Sequence, residues 1–160
     1  MNSLIEEHLD RHQELLDLLG GLRILLSPGQ LTIRPNARIA YQMLCSLSKL
    51  AQTHLSSENR NLYPALIAHS DAKLRSIAWG FIDAEKPIRQ TFDSYHKKWL
   101  KDCSFNFTSD FIEDTLAMFD VLERRIRLEA YILFPKVEEV ALSDGRLGSR
   151  VTERERLRAI

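Results

Sequence analysis

Apolar residues three and four positions apart run through almost every long segment of this chain, whereas the strict alternation of a half-buried strand is hard to find. A spacing near 3.6 residues places such side chains on one face of a helix. The sequence therefore predicts an all-α protein. Four helices are expected, over residues of about 3–26, 37–69, 72–99 and 109–142. Short loops between four helices favour an up-down-up-down bundle.

Capping and helix-breaking residues predict where these helices begin and end. The first helix should end before Ser27, because Pro28 cannot continue it. Asp71 is a suitable N-cap for the third helix, and Thr108, Ser109 and Asp110 are candidates for the fourth. Pro64 should kink the second helix or end its regular part.

Length and charge restrict the class of protein. A chain of 160 residues suits one domain, and we assign residues 1–143 to the bundle and 144–160 to a charged, solvated tail. Basic and acidic residues both number 22, so no net field attracts nucleic acid or an anionic membrane. Without an apolar run long enough to span a bilayer, or a signal peptide, the expected location is the cytoplasm. Phosphate-cradling loops and nucleophile elbows are lacking, so we expect a binding protein and not an enzyme.

Two segments of the chain echo each other without gaps: HLSSENRNLYP at 54–64 and RIRLEAYILFP at 125–135. The alignment pairs Glu58 with Glu129, and both segments end in leucine, an aromatic residue and proline. On each helix the same stripe continues toward the N-terminus through apolar residues: Leu47 and Leu50 in one, Met118 and Val121 in the other. Both glutamates should therefore face the core, where a carboxylate needs a metal, a cation or its own proton.

These paired segments, together with His12 on the first helix, resemble the hemerythrin-like (HHE cation-binding) domain family over roughly residues 4 to 140. In that family, bundle histidines and carboxylates hold a non-heme di-iron centre that binds oxygen or senses iron or redox state. The resemblance implies metal-ligand roles for four residues: His12, His54, Glu58 and Glu129.

The chain departs from the family pattern at two places. Arg125 stands where the fourth helix normally supplies a histidine, and Glu85-Lys86 stands where the third helix tends to show Glu-His. Four ligands are enough for one zinc, iron or manganese ion, so the expected cofactor is one iron or another divalent transition metal. The competing prediction is a metal-free core in which Arg125 pairs with Glu58 and Glu129.

The remaining histidines and the aromatic residues receive structural interpretations. His8 lies one turn before His12 and could be a spare ligand, but we expect it on the solvent side of the first helix. His69 and His96 are expected to be exposed. Seven aromatic residues are expected in the core: Trp79, Phe81, Phe92, Tyr95, Trp99, Phe111 and Phe119.

Two functions follow as hypotheses, and a third, an oxidase of the ferritin-like kind, is disfavoured because the paired Glu-x-x-His elements are missing. The first is a cation-binding protein whose metal carries or senses dioxygen, iron or a redox signal. The second is a metal-free bundle that regulates or binds a protein partner. Fold alone does not decide between them, whereas elemental analysis of the purified protein does.

Overall fold

A computed structural model describes residues 2–101 and 107–143 of the chain, and within these ranges every regular element is helical. The predicted tail, 144–160, lies outside the described residues. The α-helices, in chain order, are α1 (Asn2–Leu25), α2 (Pro28–Leu31), α3 (Arg34–Ser57), α4 (Tyr63–Ile67), α5 (Ala72–Tyr95), α6 (Ser109–Leu128) and α7 (Phe134–Ser143). Three π-helical turns extend them, at Glu58–Leu62, His96–Leu100 and Glu129–Leu133.

The helices form a closed bundle in which each long helix packs on its neighbours in chain order. The first pair is α1 with α3, the continuation α4 packs on α5, α5 packs on α6, and α6 returns to α1. This cyclic packing is that of an up-down-up-down bundle, and the predicted all-α architecture is confirmed. Among the described residues, no helix combines the length and the apolar character needed to cross a membrane.

The predicted N-cap of α5 is present, and of the three candidates for α6 the structure has Thr108 as the cap. The Asp71 carboxylate accepts a hydrogen bond from the Leu74 amide at 2.7 Å, at the start of α5. The Thr108 hydroxyl accepts one from the Phe111 amide at 3.2 Å, at the start of α6. Each cap satisfies a backbone donor that has no partner within its own helix.

Removing the Thr108 hydroxyl tests the contribution of its cap. Thr108→Ala is expected to lower the free energy of unfolding by about 1 kcal/mol, because the Phe111 amide loses its side-chain acceptor. Thr108→Ser keeps an oxygen at that position and should stay close to the parent. Urea denaturation of the three proteins measures the difference, and equal values for the parent and the alanine variant would show that the cap does not stabilise α6.

The two segments that repeat in sequence also share the same backbone geometry. In both segments a π-helical turn begins at the glutamate and ends before the proline. The Tyr63 amide donates to the carbonyl of Glu58, five residues earlier, and the Phe134 amide donates to that of Glu129. Proline removes one amide donor and crowds the preceding turn, which a wider turn can accommodate. The helix then continues through Pro64, so this residue ends the regular α3 geometry without ending the helix.

The apolar core has two parts along the bundle. One cluster is built on residues such as Leu15, Leu47 and Phe119, and the other on residues such as Leu62 and Leu133. Buried polar residues lie between these clusters in the chain on α1, on α3 with its π-helical extension, and on the π-helical extension of α6. The bundle therefore buries a polar layer between two apolar layers.

Most of the aromatic residues assigned to the core are buried there or packed against it, but the assignment of Trp79 was wrong. Trp79 is 51% exposed, while the adjacent Ala78 is fully buried. Consecutive residues on a helix point about 100° apart, so Ala78 and Trp79 cannot both face the core. Ala78 faces inward, and the indole of Trp79 faces outward.

Candidate metal site

Four buried side chains converge in the polar layer. His12 comes from α1 and His54 from the last turn of α3, while Glu58 and Glu129 are the first residues of two π-helical turns. None of the four exposes more than 3% of its surface. We call them the four-residue cluster.

One ligand atom from each member lies close to the other three. His12 Nε2 is 3.0 Å from Glu129 Oε2, and His54 Nε2 is 3.1 Å from Glu58 Oε1. The two Nε2 atoms are 3.0 Å apart, and all four ligand atoms lie within 4.8 Å of one another. Donors that bind one ion at about 2.0 to 2.2 Å are separated by roughly 3 to 4.5 Å. The predicted convergence is present, and its spacing suits a single ion.

Two carboxylate oxygens of the cluster face the imidazole rings. Glu58 Oε1 and Glu129 Oε2, which we call the inner oxygens, are buried, and among the described residues they have no hydrogen-bond partner other than the imidazole that faces each of them. Burying two carboxyl groups side by side costs free energy, and this cost raises the pKa of Glu58. A cation among the four ligand atoms would remove this cost, so the residues present fit a metal ion.

The other oxygen of each carboxylate faces different partners. The Tyr63 hydroxyl lies 3.4 Å from Glu58 Oε2 and 3.3 Å from Glu129 Oε1, which we call the outer oxygens. The guanidinium of Arg125 forms an ion pair with Glu129 Oε1 and approaches Glu58 Oε2 to 3.9 Å. The predicted contact between Arg125 and the carboxylates is therefore present. Each glutamate presents one oxygen to the imidazoles and one to the arginine.

Arg125 is held in place from a further helix. Its Nη1 donates to the carbonyl oxygen of Phe81, on α5, at 3.0 Å, and its Nη2 donates to the Tyr63 hydroxyl. The guanidinium carbon lies 4.6 Å from the centre of the Phe81 ring, close enough for a cation–π contact. With its side chain only 5% exposed, Arg125 is a fixed positive charge beside the outer oxygens.

Burial and neighbouring charges set the protonation of the cluster. Burial, followed by the nearby charge of Glu129, raises the pKa of Glu58 well above its usual range. Burial acts in the same direction on Glu129, but Arg125 and His12 outweigh it and lower the pKa of that carboxyl. Burial and the adjacent His12 lower the pKa of His54 to about 3, so its imidazole is neutral at pH 7. A neutral imidazole is the form that binds metals.

The prediction that His8 lies on the solvent side of the first helix was wrong. His8 is fully buried, and its ring centre lies 5.4 Å from that of His54 in an edge-to-face arrangement. The reason is helical geometry, since His8 precedes His12 by four residues and so shares its inward face. Burial and the two neighbouring histidines lower the pKa of His8 to about 4. His96 is exposed as expected, whereas the expectation for His69 was wrong: it is half-buried, and its Nδ1 accepts a hydrogen bond from the Asp71 amide at 3.1 Å.

The third bundle helix contributes a carboxylate near this layer in place of a histidine. Glu85 is 3% exposed, and its Oε1 accepts hydrogen bonds from Asn59 at 2.8 Å and from Arg89. Lys86 is exposed, so the substitution at that position does not remove an inward-facing ligand. Glu85 is the inward residue of this turn, and it is engaged with partners outside the four-residue cluster.

Tyr63 is a residue of the site that sequence reasoning missed. The echo pairs it with Phe134, and both rings are buried. The difference between the two copies is one hydroxyl group, and a buried hydroxyl needs a partner. This extra hydroxyl was the sequence feature from which the role of Tyr63 could have been predicted, because it indicates that the Tyr63 side chain faces polar groups.

Comparison with known proteins identifies one family. The family model described as the hemerythrin HHE cation-binding domain matches residues 3–137. Comparisons with curated proteins and with solved structures give no significant match. The matched range covers the bundle from α1 into α7 and includes every member of the four-residue cluster. The chain therefore belongs to the hemerythrin HHE cation-binding domain family.

Proposed function

We propose that this protein binds one transition-metal ion, iron or another divalent metal, and carries or senses dioxygen, iron or a redox signal through it. The proposed ligands are the four-residue cluster: His12, His54, Glu58 and Glu129. The observation that carries the proposal is the pair of buried inner oxygens, whose partners among the described residues are limited to the two imidazole nitrogens beside them. Imidazole and carboxylate together suit iron, manganese or zinc.

An iron ion held there would supply a site for dioxygen or for a change of oxidation state. The protein residues set its surroundings. Two imidazoles, of which that of His54 is neutral at pH 7, and two carboxylates provide the ligands, and the apolar layers on either side exclude water. Arg125 and Tyr63 occupy the space next to the outer oxygens, where a second ion would have to bind. The proposed stoichiometry is therefore at most one ion per chain.

Substitution of one carboxylate tests the ligand assignment. Glu58→Gln keeps the side-chain shape, leaves Glu129 paired with Arg125, and removes one proposed ligand. We expect iron affinity to fall by at least the roughly 10-fold that even outer-shell substitutions cost. Glu85→Gln is the matched control, because Glu85 is equally buried but lies outside the cluster. Competition with a chelator measures both, and equal losses in the two variants would refute the assignment.

The alternative function is a metal-free regulatory or protein-interaction bundle. The contact between Arg125 and Glu129 favours it, because a guanidinium neutralises part of the buried negative charge without any metal. Under this alternative the partner is a protein that binds the bundle surface. Purified wild-type protein that holds no iron after loading would support it.

A further inference from the structure

We propose that His8 is a fifth ligand of the same ion, so that the site consists of three imidazoles and two carboxylates. This inference rests on the proposed function of the four-residue cluster. It adds a residue from the preceding turn of α1 and specifies the coordination that the bound ion adopts.

The burial of His8 is the first observation. The residue has no exposed surface, and neither Nδ1 nor Nε2 has a hydrogen-bond partner among the described residues. An imidazole always carries at least one N–H donor and, when neutral, one acceptor. A structural histidine in a core normally satisfies these groups. His8 therefore has a free ligand atom in a place that water does not reach.

The position of His8 is the second observation. Its ring packs against His54 with 5.4 Å between ring centres, and His12 packs on the same His54 ring at 4.7 Å. The four-residue cluster does not include a His8 nitrogen, so ligation requires the His8 ring to turn toward the cluster when an ion binds. On α1, Ile5 and Leu9 belong to the apolar layer that borders the site, which keeps His8 inside the bundle.

The chemistry of five such donors restricts the ion. Calcium and magnesium prefer oxygen ligands, and structural zinc sites are usually four-coordinate. Three imidazoles with two carboxylates suit a first-row ion that accepts five or more ligands, such as iron(II). Arg125 remains on the opposite side of the carboxylates, at the outer oxygens.

His8→Phe tests the assignment, because it keeps a ring of similar shape and removes both nitrogens. Without metal, the variant should melt at or above the wild-type temperature, since two unpaired polar atoms leave the core. Its affinity for Co²⁺ should fall about 10-fold or more, and its visible cobalt bands should strengthen as the ion loses a fifth ligand. A purely structural histidine would not combine retained stability with weaker binding. His96→Phe, an exposed site, is the matched control and should leave affinity and spectrum unchanged.

The outcomes separate this inference from the proposed function. If the wild type binds Co²⁺ and His8→Phe binds it with the same affinity and the same spectrum, only the role of His8 is overturned. A wild-type chain that binds no Co²⁺ overturns the proposed function, and the role of His8 with it. If His8→Phe fails to fold, His8→Ala replaces it: recovery of affinity on adding imidazole supports ligation, and lack of recovery overturns it.

Discussion

An Arg125→Ala variant is expected to lose about 3 to 5 kcal/mol of unfolding free energy, because it leaves Glu58 and Glu129 buried without the guanidinium that contacts them. The substitution also removes the donors to the Phe81 carbonyl and the Tyr63 hydroxyl. Both partners are buried, so water does not replace these bonds.

Arg127→Ala is the matched control for this prediction. Arg127 lies on the same helix and forms an ion pair with Glu123, but 48% of its side chain is exposed. Exposed pairs contribute at most about 1 kcal/mol. Urea denaturation with a chelator present measures all three proteins without metal. A loss below about 0.5 kcal/mol for Arg125→Ala, which is the range of neutral surface changes, would show that the buried contacts of Arg125 do not stabilise the fold.

The second large effect concerns metal content. Arg125→His should raise iron binding above one equivalent, because it removes a fixed positive charge from beside the outer oxygens and supplies an imidazole there. The gain should stop short of two. On the third bundle helix, Lys86 is exposed and Glu85 already accepts hydrogen bonds from Asn59 and Arg89. A second ion would therefore gain few ligands from α5.

Arg125→Lys is the control that separates charge from ligand. It retains a positive charge without adding a metal-binding group, so its iron content should match that of the wild type. Plasma emission spectrometry after iron loading and desalting measures the three proteins. If Arg125→His holds no more iron than the wild type, Arg125 is not what excludes a second ion, and the metal-free alternative gains support.

The convergence of the site was predictable from the repeated segment. Two copies of one pattern, each with a glutamate on an apolar stripe, place both carboxylates in the core of any antiparallel bundle. Leu47 and Met118, which extend these stripes, are buried as that pattern requires. An inward arginine beside two inward carboxylates then favours the observed pairing.

The burial of His8 was predictable from the same rule, although polarity suggested the surface. It precedes His12 by four residues, and the apolar residues Ile5, Leu9 and Leu15 on both sides are buried. Its position relative to His54 was not predictable, because that contact depends on how α1 packs against α3. Helical spacing identifies the face of a helix but not the partner across it.

The π-helical turns had only an indirect signal. Proline at 64 and 135 indicates a disturbed turn, but His96–Leu100 forms the same geometry without a proline. Both proline-linked turns begin at a glutamate of the four-residue cluster. A π-helical turn changes the direction of the side chains that follow it, and such turns are frequent at functional sites. The exact placement of the Tyr63 hydroxyl beside both carboxylates depends on this turn.

The metal content of the untagged wild-type chain tests most directly whether Glu58 and Glu129 hold one ion on their inner side and Arg125 on their outer side. The protein would be loaded with Fe²⁺ without oxygen, desalted, and analysed by plasma emission spectrometry against its concentration. The arrangement of inner and outer oxygens predicts one iron per chain. Two tightly held irons would contradict the position assigned to Arg125, and none would contradict the metal site itself.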